Sequence, residues 1–150
     1  MKQFLFFLII FLSFSSYAQL KSIQRDSVFR IEEIAPEYIG GIPEMFKFLG
    51  KNLKYPKSPR GKGIEGIIYV SFVVNETGEL ENIEVKKSKL TQRSYDNNLK
   101  KWLYSPVDRN ELLEKESIRV VSLMPKWRPG IQHGKPKKVS YTLPIDYKID

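Results

Sequence analysis

The chain has 150 residues, with 25 lysines and arginines against 17 acidic residues, a formal charge of +8, one histidine and no cysteine. Without cysteine there is no disulfide framework, no thiol nucleophile and no thiol for lipid attachment, so the fold must be held by its core. A chain of this length buries roughly two-thirds of its unfolded surface as one domain, enough to dispense with staples.

The first residues read as an export signal. Lys2 supplies a positive start, residues 4–12 are unbroken apolar sequence, and Ser16-Tyr17-Ala18 puts small side chains at the two positions a signal peptidase reads. The apolar run is far short of the roughly 20 residues that span a bilayer, so cleavage after Ala18 is expected. Residues 1–18 are thus read as a signal peptide and 19–36 as an N-terminal tether with a short strand at 28–31. Residues 37–150 form the exported, periplasmic domain.

The domain opens with Gly40-Gly41 and Pro43, a proline tolerated in a helix's first turn. Phe46, Leu49 and Leu53, flanked by Met45, recur at helical spacing and predict a helix buried on that face. Pro56 ends it near Tyr55, because the residue before a proline avoids helical geometry. Residues 57–63, with Pro59, Gly61 and Gly63, read as a loop.

Residues 64–74 are rich in β-branched and aromatic side chains and predict a central strand, with Ile68, Val70, Phe72 and Val74 on one face. Asn75-Glu76-Thr77-Gly78 is a turn, Gly78 taking the left-handed conformation, and residues 80–85 return as the hairpin partner. Tyr95, Leu99, Trp102 and Leu103 share a helical face, which predicts a short amphipathic helix stopped at Ser105-Pro106. A second long helix follows, capped by Asp108 with Glu111, burying Leu112, Ile118, Val121 and Met124 and ended by Pro125. The last segment alternates cleanly: Val139, Tyr141, Leu143, Ile145 and Tyr147 face inward and Ser140, Thr142, Asp146 and Lys148 outward. Pro144 cannot donate to a ladder, so this strand is an edge. The expected fold is α+β, two main helices on a small antiparallel sheet in the order α-β-β-α-β.

Five segments in this order resemble the TonB C-terminal domain family: Leu53-Lys54-Tyr55-Pro56; Gly63 to Gly66 leading into Val70-Ser71-Phe72-Val73-Val74; the hairpin around Gly78; residues 118–130, ending Pro125-Lys126-Trp127-Arg128-Pro129-Gly130; and the final strand with Leu143-Pro144-Ile145. The resemblance covers residues 36–149 apart from an insertion at about 89–113. It implies a periplasmic protein-binding domain, linked to TonB-dependent transport, that takes the short "TonB box" of outer-membrane transporters as an added strand. On that reading Lys54, Tyr55 and Pro56 touch the peptide, and Val139, Ser140, Tyr141, Thr142, Leu143, Ile145 and Tyr147 form the augmenting edge. Gly66, Gly78, Pro125, Trp127 and Pro129 carry the structural motif. Tyr55 and Pro56 can equally end a helix and fill the core. Tyr95, Trp102 and Tyr104 of the insertion are read first as core and second as a partner-specific patch. A full TonB has an N-terminal membrane helix and a Pro-rich spacer; neither is expected here, so energy transduction by this chain alone is not.

Enzymatic chemistry has nothing to stand on. His133 is alone in a Gly-containing loop, the carboxylates alternate with lysine, and Gly61-Lys62-Gly63 lacks the flanks of a phosphate loop. No enzyme, metal or cofactor is expected. The expected partners are TonB-dependent transporters or other envelope proteins, with self-pairing into a homodimer through the sheet edge as a further option. Export argues against nucleic acid, and the lysines, spread along the chain, read as a solvated face. The alternative function is an adaptor that binds cell-wall glycan or acidic envelope polymers through those cations.

Overall fold

The computed structural model describes residues 33–149. The expected signal segment, the cut after Ala18 and the strand at 28–31 lie outside the described residues. A short strand β1 (Glu37–Tyr38) leads into helix α1 (Gly41–Asn52) and a short helix α2 (Lys57–Gly61). Three strands follow, β2 (Ile64–Val74), β3 (Leu80–Asp96) and β4 (Lys101–Val107), then helix α3 (Glu111–Ser122). The chain ends in β5 (Trp127–Arg128), β6 (Gly130–Gln132), β7 (Lys135–Lys137) and β8 (Val139–Tyr147). The main sheet is antiparallel in the order β4-β3-β2-β8, with β1 pairing β5 and β6 pairing β7 beside it. This is the expected mixture of helices and antiparallel sheet.

Alternation builds the core from the central strand outward. Ile68, Val70, Phe72 and Val74 of β2 are buried, with Leu143, Ile145 and Tyr147 of β8 beside them and Leu113, Val120 and Val121 of α3 packed above. A bulge lies where Tyr69 pairs Lys87 while Val70 pairs Val85, leaving Lys86 extra. The inserted residue shifts β3 by one, so the core set changes from Val85 to Leu90. Gly66 sits at φ 134, where a Cβ would lie 2.2 Å from the Lys89 carbonyl oxygen, so β2 and β3 can approach there only at a glycine.

Several expected details are corrected. The predicted amphipathic helix through Tyr95 and Trp102 is the far end of a β3–β4 hairpin. The Asp96 carboxylate accepts the Asn98 and Leu99 backbone N–H groups at 2.8 and 2.9 Å, and Lys100 takes φ 52. This Asx turn reverses the chain and lets Trp102 and Tyr104 alternate as strand residues. Tyr95, Trp102 and Tyr104 are exposed rather than core. Residues 57–61 are helical rather than loop. The cap of α3 is Asn110, whose side chain accepts from the Leu113 N–H, and the buried stripe contains Leu113 and Val120 instead of Leu112, which is exposed. Phe46 is 62% exposed. At 100° per residue it lies about 60° round the helix from Leu49, and the buried face is centred on Met45 and Leu49.

Candidate functional site

The outer side of β8 has no partner strand among the described residues. Its inner side pairs β2 over the whole length, from Gly66 opposite Tyr147 to Val74 opposite Val139. Side chains alternate strictly: Leu143, Ile145 and Tyr147 are buried and Tyr141 half-buried, whereas Ser140, Thr142, Pro144 and Asp146 are exposed. The inward set anchors the strand, so its edge is presented on a rigid element.

A groove of about 760 Å³ runs beside this edge. One wall is Phe46, Leu49, Gly50 and Leu53 of α1 and its extension, another is Arg60 of α2, and the floor and far rim are Pro144, Ile145, Asp146 and Lys148. Gly50 has open space around its Cα, which keeps the helix surface low at mid-groove. The exposed Phe46 ring is the largest apolar group on this wall. Lys148 pairs Asp146 at 2.8 Å at the open end, and that hydrogen bond holds the ammonium pKa above its ordinary value.

The segment that joins α1 to α2 is locked to α3. Glu116 accepts the Lys54 backbone N–H at 2.7 Å and two hydrogen bonds from Arg119 at 2.6 and 2.7 Å. Arg119 also donates to the Asn52 carbonyl at 2.7 Å, satisfying one of the orphan carbonyls at the end of α1. Burial pushes the Glu116 carboxyl up, but the Arg119 and Lys54 hydrogen bonds outweigh it and the net shift is downward. This clamp holds the end of α1 and residue 54 against α3.

The sequence-derived site residues therefore separate by role. Tyr55 is half-buried: its hydroxyl donates to the Ile64 carbonyl and its ring meets Tyr147 edge-on at 5.3 Å. That contact puts residues 54–56 at the Tyr147 end of β8, although Lys54 and Pro56 do not line the groove; Lys54 points to solvent and Pro56 caps α2. Tyr147 itself is buried, with its hydroxyl 3.0 Å from Ser117 Oγ and 3.2 Å from the Leu113 carbonyl. Burial pushes its pKa up to about 12. Phe46, Gly50, Arg60 and Lys148, none of which the sequence assigned to the site, line the groove.

Of the motif residues, Gly66 lies at this end, opposite Tyr147, whereas Gly78 and Trp127 lie at the other end of the sheet. Trp127 is buried among Tyr38, Phe72 and Tyr141, with ring centroids 5.8, 5.3 and 5.0 Å away. Pro129 is half-buried and Pro125 exposed. His133 is the first of two positive-φ residues in the turn between β6 and β7 and is exposed, as a turn residue would be.

The family described as "Gram-negative bacterial TonB protein C-terminal" matches residues 51–110 and 107–149, together well over half of the chain. The chain belongs to the TonB C-terminal family. Domains of this family are periplasmic, non-enzymatic parts of energy transducers and interact with outer-membrane transporters, so the chain is a TonB-like domain connected with transport. Among solved structures, the solution structure of the Helicobacter pylori TonB C-terminal domain is similar at 21% identity, with a TM-score of 0.47, covering 72% of this chain and 79% of that one. No curated protein matches the chain. No helix among the described residues is long and apolar enough to cross a membrane.

Proposed function

We propose that this TonB-like domain binds an extended segment of an outer-membrane transporter, or of another envelope protein, as a strand added to the outer edge of β8. The observation that carries the reading is the open β8 edge running beside the Phe46–Arg60 groove. Added strands draw affinity from main-chain hydrogen bonds and specificity from pockets for alternate side chains, and the edge and groove offer one of each. Pro144 says which backbone groups are offered. A proline fits a ladder where its nitrogen faces away from the partner strand. With Pro144 opposite Tyr69, the outward-facing positions are then Ser140, Thr142, Pro144 and Asp146. Three of these can donate to a ligand strand, with a gap at Pro144. Export by a cleaved signal peptide, with the mature chain starting at Gln19, is part of the same proposal.

The test is an NMR titration of the chain with peptides taken from the plug-proximal ends of the host's TonB-dependent transporters. Shifts on Val139–Tyr147 and on Phe46, Gly50 and Arg60 are expected. Thr142→Pro removes an outward donor and leaves the β2 ladder intact, so it should abolish binding in a folded chain. Undiminished affinity in folded Thr142→Pro, or no shifts at millimolar peptide, would overturn the reading.

A further inference from the structure

Strand β4 has an unusual solvent exposure. Lys101, Trp102, Leu103, Tyr104, Ser105 and Pro106 are all exposed, although four of the six are apolar or aromatic. Neither face of this part of the hairpin is covered: Trp102 and Tyr104 lie on one face with Tyr95, Leu103 lies on the other opposite Ser94, and Leu99 stands at the turn, 58% exposed. A two-stranded ribbon with both faces in water is marginal by itself. A partner with a flat surface would cover only one of the faces. A medium that surrounds the tip would cover both.

The charge around it names that medium. Between Val85 and Val107 stand six cations, Lys86, Lys87, Lys89, Arg93, Lys100 and Lys101, against one carboxylate, Asp96. That carboxylate is occupied by the backbone N–H groups of its own turn. Arg93, Lys100 and Lys101 stand on the exposed part of the hairpin, and Lys86, Lys87 and Lys89 continue along β3 where it pairs β2. Arg93 lies 5.3 Å above Trp102, and Tyr95 packs against the same ring at 66°, so little of the indole is left as a flat platform for a sugar. Leu99 and Lys100 stand in the turn, Lys101 and then Trp102 with Tyr95 follow, and Tyr104 with Arg93 lies further back. This mixture of cations and interfacial aromatics suits an anionic headgroup layer at its boundary with hydrocarbon.

We infer that the β3–β4 hairpin docks onto a phospholipid surface carrying anionic headgroups, with Leu99, Trp102, Leu103 and Tyr104 entering the headgroup boundary and Lys100, Lys101 and Arg93 meeting phosphate. The β8 edge is three strand spacings from β4, about 14 Å across the sheet, and Trp102 lies five residues, about 16 Å, beyond the Tyr147 end of β8 along the strands. A docked hairpin would therefore keep that edge close to the membrane surface. The inference stands on the hairpin alone and does not require strand addition at β8.

The chain contains two tryptophans, and Trp127 is buried, so Trp102 fluorescence reports the hairpin directly. The apolar stretch at 4–12 has no tryptophan and can bring the chain to a bilayer without moving this signal. With the full chain, vesicles of phosphatidylethanolamine and phosphatidylglycerol should shift Trp102 emission to the blue, and lipids brominated on their acyl chains should quench it. Phosphatidylcholine vesicles should do so far less. Lys100→Gln with Lys101→Gln should lower the hairpin's partition roughly thirtyfold without changing the circular dichroism spectrum. Trp102 emission that ignores anionic vesicles overturns the inference. So does emission that responds to soluble glycan fragments or to an envelope protein while ignoring vesicles, which would assign the hairpin to that partner instead.

Discussion

The Trp127 backbone N–H donates to the Gly78 carbonyl at 2.8 Å, and a Cβ on Gly78 would lie 2.0 Å from the Trp127 carbonyl oxygen. The β2–β3 turn and the strand after α3 are therefore joined through a glycine that has no substitute. Gly78 holds φ 84, and Asn75 fills the turn beneath it by accepting from Thr77 and Glu79. Gly78→Ala should destabilise the chain by about 2–4 kcal/mol, combining the left-handed penalty with a backbone clash. Urea denaturation checks this through the transition midpoint.

Trp127 Nε1 is buried with no hydrogen-bond partner among the described residues. Trp127→Phe keeps most of the ring contacts with Phe72 and Tyr141 and removes that stranded donor, so its cost should be well under that of Trp127→Ala, which is expected at about 3–5 kcal/mol. The two variants compared in one denaturation series decide it. Near-equal losses would show that the indole is needed whole.

Tyr147 should make the protein sensitive to alkali. Its folded-state pKa of about 12 lies above the ordinary 10.0, so above pH 10 the unfolded chain releases a proton that the folded one retains. Stability conferred by the neutral phenol is complete below pH 10 and is lost as pH rises toward 12. Tyr147→Phe should flatten this decline while costing about 1 kcal/mol at neutral pH, because Ser117 still donates to the Leu113 carbonyl. Thermal denaturation between pH 9 and 12 follows both.

Acid should act through α3. The Arg109 hydrogen bonds hold the Glu114 carboxyl below the ordinary glutamate range, with Ser88 assisting, and Glu116 is also held low. Depressed carboxyl pKa values contribute stability above the ordinary value that disappears as pH falls through the folded one. The urea midpoint should therefore drop below about pH 4. Glu116→Gln should weaken that dependence and, by loosening the clamp on residues 52–54, should broaden the amide signals of Lys54 and Tyr55.

Phe46 separates binding from stability. A buried phenylalanine replaced by alanine costs about 3–5 kcal/mol, but Phe46 is largely exposed, so Phe46→Ala should change stability by about 0.5 kcal/mol or less. Under the strand-addition proposal the same variant should weaken peptide binding several-fold in a titration. A large loss of stability would mean that the side chain folds back onto the core.

What the sequence determined by itself is the part governed by local periodicity and turn chemistry. The alternation of β2 and β8, the Gly78 turn, the Pro56 stop and the edge position implied by Pro144 all follow from interactions within a few residues. Where local patterns are degenerate, tertiary structure decided. Tyr95, Leu99, Trp102 and Leu103 fit a helical face, yet pairing with β3 and the Asp96 turn made that segment a strand. Phe46 and Leu112 look like core residues from spacing, but which side of a helix is covered depends on the sheet it packs against. The groove could not be read in advance for the same reason: it joins α1, α2 and β8, distant in sequence and brought together by the Glu116–Arg119 clamp and the Tyr55–Tyr147 contact. The positive charge of residues 86–101 is already written in the sequence; what tertiary structure decided is that Arg93, Lys100 and Lys101 stand with Trp102 and Tyr104 on an exposed β3–β4 hairpin.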